Sequence, residues 1–516
     1  MSTPINKKIL NSGISSVLIF LAFLIAINFL ASQNPVYFDL TEEKIYTTSD
    51  ASKDILKNLE SEVNVNFYIS KDLPQSVTST KMQLVDLMNQ YQDVTGSKLK
   101  VFYNEPENTP EKVQELAEIG IPQIQFNVIE KDKYEVRQGF FGVEITSEIN
   151  GEIKREAIPV IQSIDSWEYD FISAVYSISR ENEETVAFLK GHFERNIQLQ
   201  DLQKSYKIVD VEIETEEENK GFFISDGKAE ETSEIENEKE FVYPVTLIII
   251  GPVEKISTEE IAIIDEFISN GGNVIVASES VAPDLQQNLS PIPIENNINE
   301  LTEKYGIKIN SDLIYDRSNS NITYQQGFFS VSKAYPFWVK ALQDNFQEHP
   351  SLSGIQSVVF PWASSLSISD NEEYCVKSMI SSTNQAKGMS DNYDLLPDST
   401  FSFSGGSKKT IVAFAEPKDE NSNKGTLFVI GDSDFISPEF LKQASNNETF
   451  FMNLVDSVSN SVNLASIRSK NIIDRPLKEL EESEKNYWKF ISIFGAAILI
   501  NIYGILRITK RKKINK

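Results

Sequence analysis

From Leu247 to Ile250 the chain carries a short, unbroken aliphatic run, the pattern of a strand buried on both faces. Gly251-Pro252 ends it. Ser257 followed by Glu260 has capping-box spacing, and Ile261, Ile264, Phe267 and Ile268 then fall on one side of a helix reaching Asn270, closed by Gly271-Gly272. Residues 273–277 return as a second buried strand. A crossover through a helix makes the two strands parallel, so the middle of the chain predicts an α/β layer with helices on its faces.

The same periodicities divide the chain upstream. Ser49 or Asp50 can cap a helix carrying Ile55, Leu56 and Leu59, and 63–69 alternates as a strand. A helix over 77–91, a strand over 98–103, a helix over 110–119, strands over 123–129, 136–146 and 153–160 and a helix over 167–179 follow. This order resembles a thioredoxin-like layer, but the C-x-x-C that would give it redox chemistry is missing. A buried strand over 185–189 opens a second domain and ends in Gly191-His192-Phe193-Glu194. A strand over 207–212 comes next, and the run 214–240, dense in Glu, Asn and Lys, predicts a solvated loop. Beyond the central unit, a helix over 301–305 leads into a strand over 307–314, and 318–400 mixes Ser and Asn with aromatic islands in no legible strand order. Strands over 411–415 and 426–430 follow, the second ending in Gly431-Asp432-Ser433-Asp434, then a helix over 448–458 and a charged helix over 475–489.

Both ends of the chain are apolar. Residues 14–31 form an 18-residue run without charge behind Lys7 and Lys8, near the ~20 needed to cross a bilayer. It is longer than the apolar part of a cleaved signal, and Phe29 or Leu30 stands where a small residue should precede the cut. Residues 490–506 form a second run with Tyr487, Trp488 and Tyr503 as interfacial anchors, followed by Arg507, Lys510, Arg511, Lys512, Lys513 and Lys516. The positive-inside rule then places both tails in the cytoplasm and the bulk of the chain outside. The predicted organisation is a cytoplasmic tail 1–13, a span 14–31, a thioredoxin-like domain 33–182, a second α/β domain 183–465, a stalk 466–489, a span 490–506 and a basic tail 507–516. Two helices whose polar interior residues are Asn28 and Asn501 line no pathway, so they read as anchors or docking surfaces.

Composition sharpens this picture. A length of 516 residues calls for two or three domains. The net charge of -28 repels phosphate backbones and excludes nucleic acid as a partner. Cys375 is the single cysteine, and His192 and His349 are the two histidines, which removes thiolate clusters and most triad chemistry.

The candidate chemistry gathers at two strand ends. Gly431-Asp432-Ser433 has the look of an esterase nucleophile block, but a serine needs a base and no histidine follows it. A turn capped by Asp432 and Asp434 is the simpler reading. His192 and Glu194 end another strand and could face the same edge, yet two ligands without a third do not make a metal site. The candidate ligand-binding residues are therefore His192, Glu194, Asp432, Ser433 and Asp434, with no catalytic residue, metal or cofactor expected. Residues 405–410, GGSKKT, lack phosphate-loop spacing, so any ATP-driven step belongs to another subunit.

Several stretches together resemble the gliding-motility GldG family of ABC-transporter auxiliary proteins. They include DLTEEKIYTTS at 39–49, LVDLMNQYQ at 84–92, FLKGHFE at 188–194, the run 247–276, EKYGIKINSDLIYD at 303–316, HP at 349–350, VVFPWASSL at 358–366, TLFVIGDSDFIS at 426–437 and SIRSKNIIDRPL at 466–477. The resemblance implies a bacterial inner-membrane protein working beside an ABC permease and a separate ATPase. It also implies a flavodoxin-like or class I glutamine-amidotransferase-like sheet in the second domain. Where the family tends to read Gly-His-Gly-Glu, this chain has Phe193. The expected function is a non-catalytic, two-pass auxiliary subunit whose exterior binds a partner or ligand. The alternatives are an exterior hydrolase or amidotransferase-like enzyme using Ser433, His192 or Glu194, and a structural scaffold of envelope machinery.

Overall fold

The computed structural model describes residues 47–468 apart from short breaks, the longest at 226–239, together with 484–495 and a few positions near 20 and 503. The expected span 14–31 and the stalk 466–489 lie largely outside the described residues, and the expected span 490–506 lies partly outside them. Among the described residues no helix is long and apolar enough to cross a membrane.

The first domain runs α1 (Asp50–Lys57), β1 (Val63–Ile69), α2 (Gln75–Thr95), β2 (Leu99–Asn104), α3 (Pro110–Glu118), β3 (Ile124–Glu130), β4 (Lys133–Gly139), β5 (Phe141–Ile149), β6 (Glu152–Ile158) and α4 (Ile164–Ile178). Its sheet is ordered β2-β1-β5-β6, with β1 and β2 parallel and the other pairs antiparallel. The alternation of β1 sends Val63, Val65, Phe67 and Ile69 into the core, where Phe67, Trp167, Phe171 and Tyr91 make a run of ring contacts.

The strand expected over 136–146 is two strands. β4 pairs with β3 in a separate hairpin, while β5 joins the main sheet. The break is at buried Phe140, whose N–H donates to Ser70 Oγ at 2.9 Å and whose carbonyl accepts from Ser70 N at 3.0 Å. Its cause is thus a contact with a residue far back in the chain.

The second domain begins with β7 (Thr185–Leu189), β8 (Lys207–Glu214), β9 (Gly221–Ile224), β10 (Phe241–Val242), β11 (Thr246–Ile250), α5 (Thr258–Ser269) and β12 (Asn273–Ala277). There follow β13 (Val281–Asp284), β14 (Ser290–Pro293), α6 (Asn299–Thr302), β15 (Ile307–Ile309), β16 (Leu313–Tyr315), β17 (Asn319–Gln326), β18 (Phe329–Leu342), β19 (Ser357–Pro361), β20 (Leu366–Ile368), β21 (Tyr374–Ser381) and β22 (Lys387–Met389). The chain closes with β23 (Thr410–Pro417), β24 (Leu427–Ile430), α7 (Pro438–Leu441), α8 (Ser445–Ser459) and α9 (Leu464–Arg468).

The sheet's centre reads β8-β7-β11-β12-β24, every neighbour parallel. In chain order these strands stand 2-1-3-4-5, so the winding reverses between β7 and β11. α5 begins with the expected capping box, both of its hydrogen bonds present, and packs Ile261, Ile264, Phe267 and Ile268 on one face of the sheet. α8 covers the other face with Phe450, Phe451, Leu454 and Val455.

Two further expectations are corrected, and a stretch whose strands could not be ordered from sequence gains an order. The strand over 307–314 divides into β15, paired with β20, and β16, paired with β22. Between them the Asp312 carboxylate accepts from Ser365 N and Oγ, both at 2.8 Å, and turns the chain. The run 214–240 is not all loop, because Phe222 and Phe223 of β9 bury themselves at the sheet edge. Part of 318–400 is a three-stranded meander, β17-β18-β19, whose Tyr335, Phe337 and Trp338 meet Trp362 and Phe440 in a small core of its own.

Candidate functional site

β7 and β11 end side by side at the reversal, and the loop after β7 folds across that edge. Arg195 N donates to Ile250 O at 2.9 Å, while Val253 N and Glu254 N donate to His192 O at 2.9 and 3.1 Å. Gly251, the residue ending β11, has φ 59°, and a Cβ there would lie 2.8 Å from Ser433 Oγ and 3.1 Å from the Arg195 side chain. Glycine is what lets these groups close over the strand end.

His192 sits between two carboxylates. Its Nδ1 is 3.0 Å from Glu194 Oε1, its Nε2 is 3.3 Å from Glu260 Oε2, and its backbone N–H donates to Glu194 Oε2 at 2.8 Å. The hydrogen bond to Glu194, with the charge of Glu260, holds the imidazole pKa above its usual value against the pull of burial. Glu260 is the same residue that closes the capping box of α5, accepting from Ser257 N at 2.8 Å. The imidazole thereby ties the end of β7 to the start of α5.

The second cluster centres on Arg195. Its Nε donates to Ser433 Oγ at 2.8 Å, and its Nη2 lies 2.7 Å from Asp434 Oδ1 and 3.7 Å from Glu279 Oε1. Ser433 in turn donates its N–H to Glu279 Oε2 at 2.8 Å and its hydroxyl to Glu279 Oε1 at 2.9 Å. Burial opposes the guanidinium's charge, but Asp434, Glu279 and Asp432 outweigh it and raise the Arg195 pKa. Burial is also the main reason that the Asp434 carboxyl rises to about 7 and that of Asp432 well above the carboxylate range. Asp432 Oδ1 accepts from Asp434 N at 2.8 Å, while its buried Oδ2 meets no hydrogen-bond partner.

The five residues singled out from the sequence thus fall into two neighbouring groups on one edge. β7 and β24 share the sheet but are separated by β11 and β12, and Arg195 spans the gap. Arg195, Glu260 and Glu279 were not foreseen as site residues. Glu260 was visible only as a cap, and Arg195 and Glu279 carry no local signature beyond following a strand end.

This arrangement gives Ser433 a carboxylate to donate to and a guanidinium to accept from, and no imidazole in hydrogen-bond contact with it. The Ser–His pairing of a hydrolytic triad is therefore not formed at Ser433, whose hydroxyl hydrogen points to the Glu279 carboxylate. Among the described residues no group of three or more His, Cys, Asp or Glu is arranged to hold a metal ion. Beside Glu279 opens a cavity of about 300 Å³, lined also by Ser280, Ile294, Asn296 and Ile309. A second cavity, of about 460 Å³, lies between β6 and α4 of the first domain and Lys204 of the second.

Residues 183–460, the whole of this second domain and more than half of the chain, match the family described as "ABC-type uncharacterized transport system". The chain belongs to that family. Residues 42–146 match a domain of unknown function, DUF7088. This member of the ABC-type transport system family is similar along its full length to an uncharacterized protein of Borreliella burgdorferi, 24% identical over 538 residues and covering 99% of each chain. A solved mmIFT52 N-terminal domain aligns with 54% of this chain and 98% of its own at 17% identity, with a TM-score of 0.35. The family match gives the chain a transport-associated, accessory character.

Proposed function

We propose that this protein is a membrane-anchored, extracytoplasmic auxiliary subunit of an ABC transport complex that binds its partner or ligand without chemistry of its own. The family membership supports the transport setting, and the two terminal apolar runs with their basic tails support the anchoring and its direction. In this reading the β2-β1-β5-β6 sheet is a thioredoxin-like layer without its redox pair, and the 2-1-3-4-5 sheet a flavodoxin-like or glutamine-amidotransferase-like one. Energy comes from a separate ATPase, and the permease receives the anchors.

One observation carries the binding role. The residues His192, Glu194, Arg195, Glu279, Ser433 and Asp434 are collected where the winding of the parallel sheet reverses, the place at which open α/β sheets meet ligands. They are mutually saturated by hydrogen bonds and ion pairs, which suits a rigid recognition edge and leaves no free nucleophile. The deciding experiment is recovery of the full chain from detergent through a C-terminal tag. A permease and an ATPase co-purify if the reading is right, and recovery of neither overturns it.

A further inference from the structure

We propose that Phe193 is the anchor through which this subunit docks on its transport partner, its ring entering an apolar pocket rimmed by basic residues on the exterior of the permease. The inference rests on the accessory reading above. Phe193 is 73% exposed, yet the loop that carries it is tied down on both sides. His192 before it is held by two carboxylates and by Val253 and Glu254, and Arg195 after it is held by Ile250 and Ser433.

The backbone at Phe193 has φ 58°, in the left-handed region that glycine occupies freely and a bulky side chain does not. Folding alone gives no reason for an aromatic here, because the ring buries little and the backbone conformation disfavours it. A strained, exposed ring on an immobilised loop has instead the properties of a binding anchor. It offers a large apolar area and loses little conformational freedom on association.

Its position and surroundings point to the partner. Phe193 stands at the reversal between β7 and β11, and Val253, 54% exposed, adjoins it through the hydrogen bond to His192 O. Around this apolar pair Glu254 is exposed on the loop after β11, the exposed Lys255 beside it is paired with Glu295 at 3.6 Å, Glu259 is exposed in the first turn of α5, and Glu194 and Glu260 lie against His192, so carboxylates outnumber the one exposed lysine there. The chain as a whole carries -28, so a complementary surface is basic.

The test co-expresses the full chain, tagged at its C-terminus, with the permease and ATPase of its own transport complex and measures permease recovered in detergent. Phe193→Gly and Phe193→Asn each lower recovery about tenfold or more, while Tm stays unchanged or rises, since both residues accept the left-handed backbone. Phe329→Ser, at a residue 76% exposed on β18, leaves recovery at the wild-type level. Full permease recovery with both Phe193 variants overturns the anchor and leaves the accessory reading intact. Failure of the wild-type chain to recover permease overturns that reading and the anchor with it. A wild-type dimer in light scattering that Phe193→Gly dissolves overturns the proposed partner, because the ring then serves a second copy of this chain.

Discussion

At the scale of single residues, the decisive feature is that one guanidinium neutralises a buried acidic group set. Arg195 faces the buried Glu279 and Asp432 and the half-buried Asp434, and no second cation touches them among the described residues. Arg195→Met leaves these carboxyls uncompensated and costs about 1–3 kcal/mol, less than breaking a fully buried pair because the guanidinium is 35% exposed. The deficit is largest at pH 8 and shrinks toward pH 5, because protonating Asp434, already raised to about 7, relieves the unbalanced charge. Urea unfolding of both chains at the two pH values checks the sign, and a deficit that grows on acidification would contradict it.

His349 supplies a titration of the opposite sense. Its Nδ1 accepts from Ser351 N at 3.2 Å and its ring packs on Phe414 and Phe428, so burial keeps it neutral and draws its pKa down to about 4. With an unfolded value near 6.5, its contribution is complete above that value and is lost as pH falls toward 4. His349→Gln lowers Tm at pH 7 through lost packing but flattens the Tm decline between pH 6.5 and 4.5. An unchanged slope would show that other groups govern the acid limb.

At the scale of elements, the β11–α5–β12 unit shows how much local pattern can specify. The aliphatic run, the Ser257/Glu260 box and the glycine stop each agree with the fold around them, and the helix forms within one residue of its predicted start. Ser257→Ala removes one cap hydrogen bond and costs about 1 kcal/mol. It also withdraws a donor from Glu260, which sits against His192, so the His192 titration followed by NMR shifts as well. A stability loss with no movement of that titration would separate the cap from the site. The elements that misled, 136–146 and 307–314, share one cause. Their apolar alternation continues through a break made by a distant partner, Ser70 in one case and Ser365 in the other.

At the scale of the whole molecule, the two domains are joined by a buried polar knot. Arg468 of α9 places Nη1 2.8 Å from Asp456 of α8 and donates to Asn453 Oδ1 at 2.9 Å, while its guanidinium lies 4.3 Å from the Tyr169 ring of α4 in the first domain. Leu464 and Ile467 pack into that first domain's core, so after the second domain the chain returns to its opening domain. Arg468→Met strands Asp456 and costs about 3–5 kcal/mol. It also splits the unfolding curve into two transitions as the domains uncouple; a single transition at lower urea would mean that the remaining contacts suffice.

The sequence by itself determined what depends on neighbours along the chain: the parallel β-α-β unit, the helix caps, the apolar termini, the overall acidity and the two strand ends bearing His192 and Ser433. These are readable because periodicity and capping act over a few residues. Only the tertiary structure decided that Arg195 would bridge those ends, that Glu279 would hold Ser433 by two hydrogen bonds, that Phe193 would stand exposed in a left-handed backbone, and that α9 would lock the domains together. Each of these requires strands or helices far apart in the chain to be brought within hydrogen-bond or packing distance, and that proximity is set by sheet order, which no local pattern encodes.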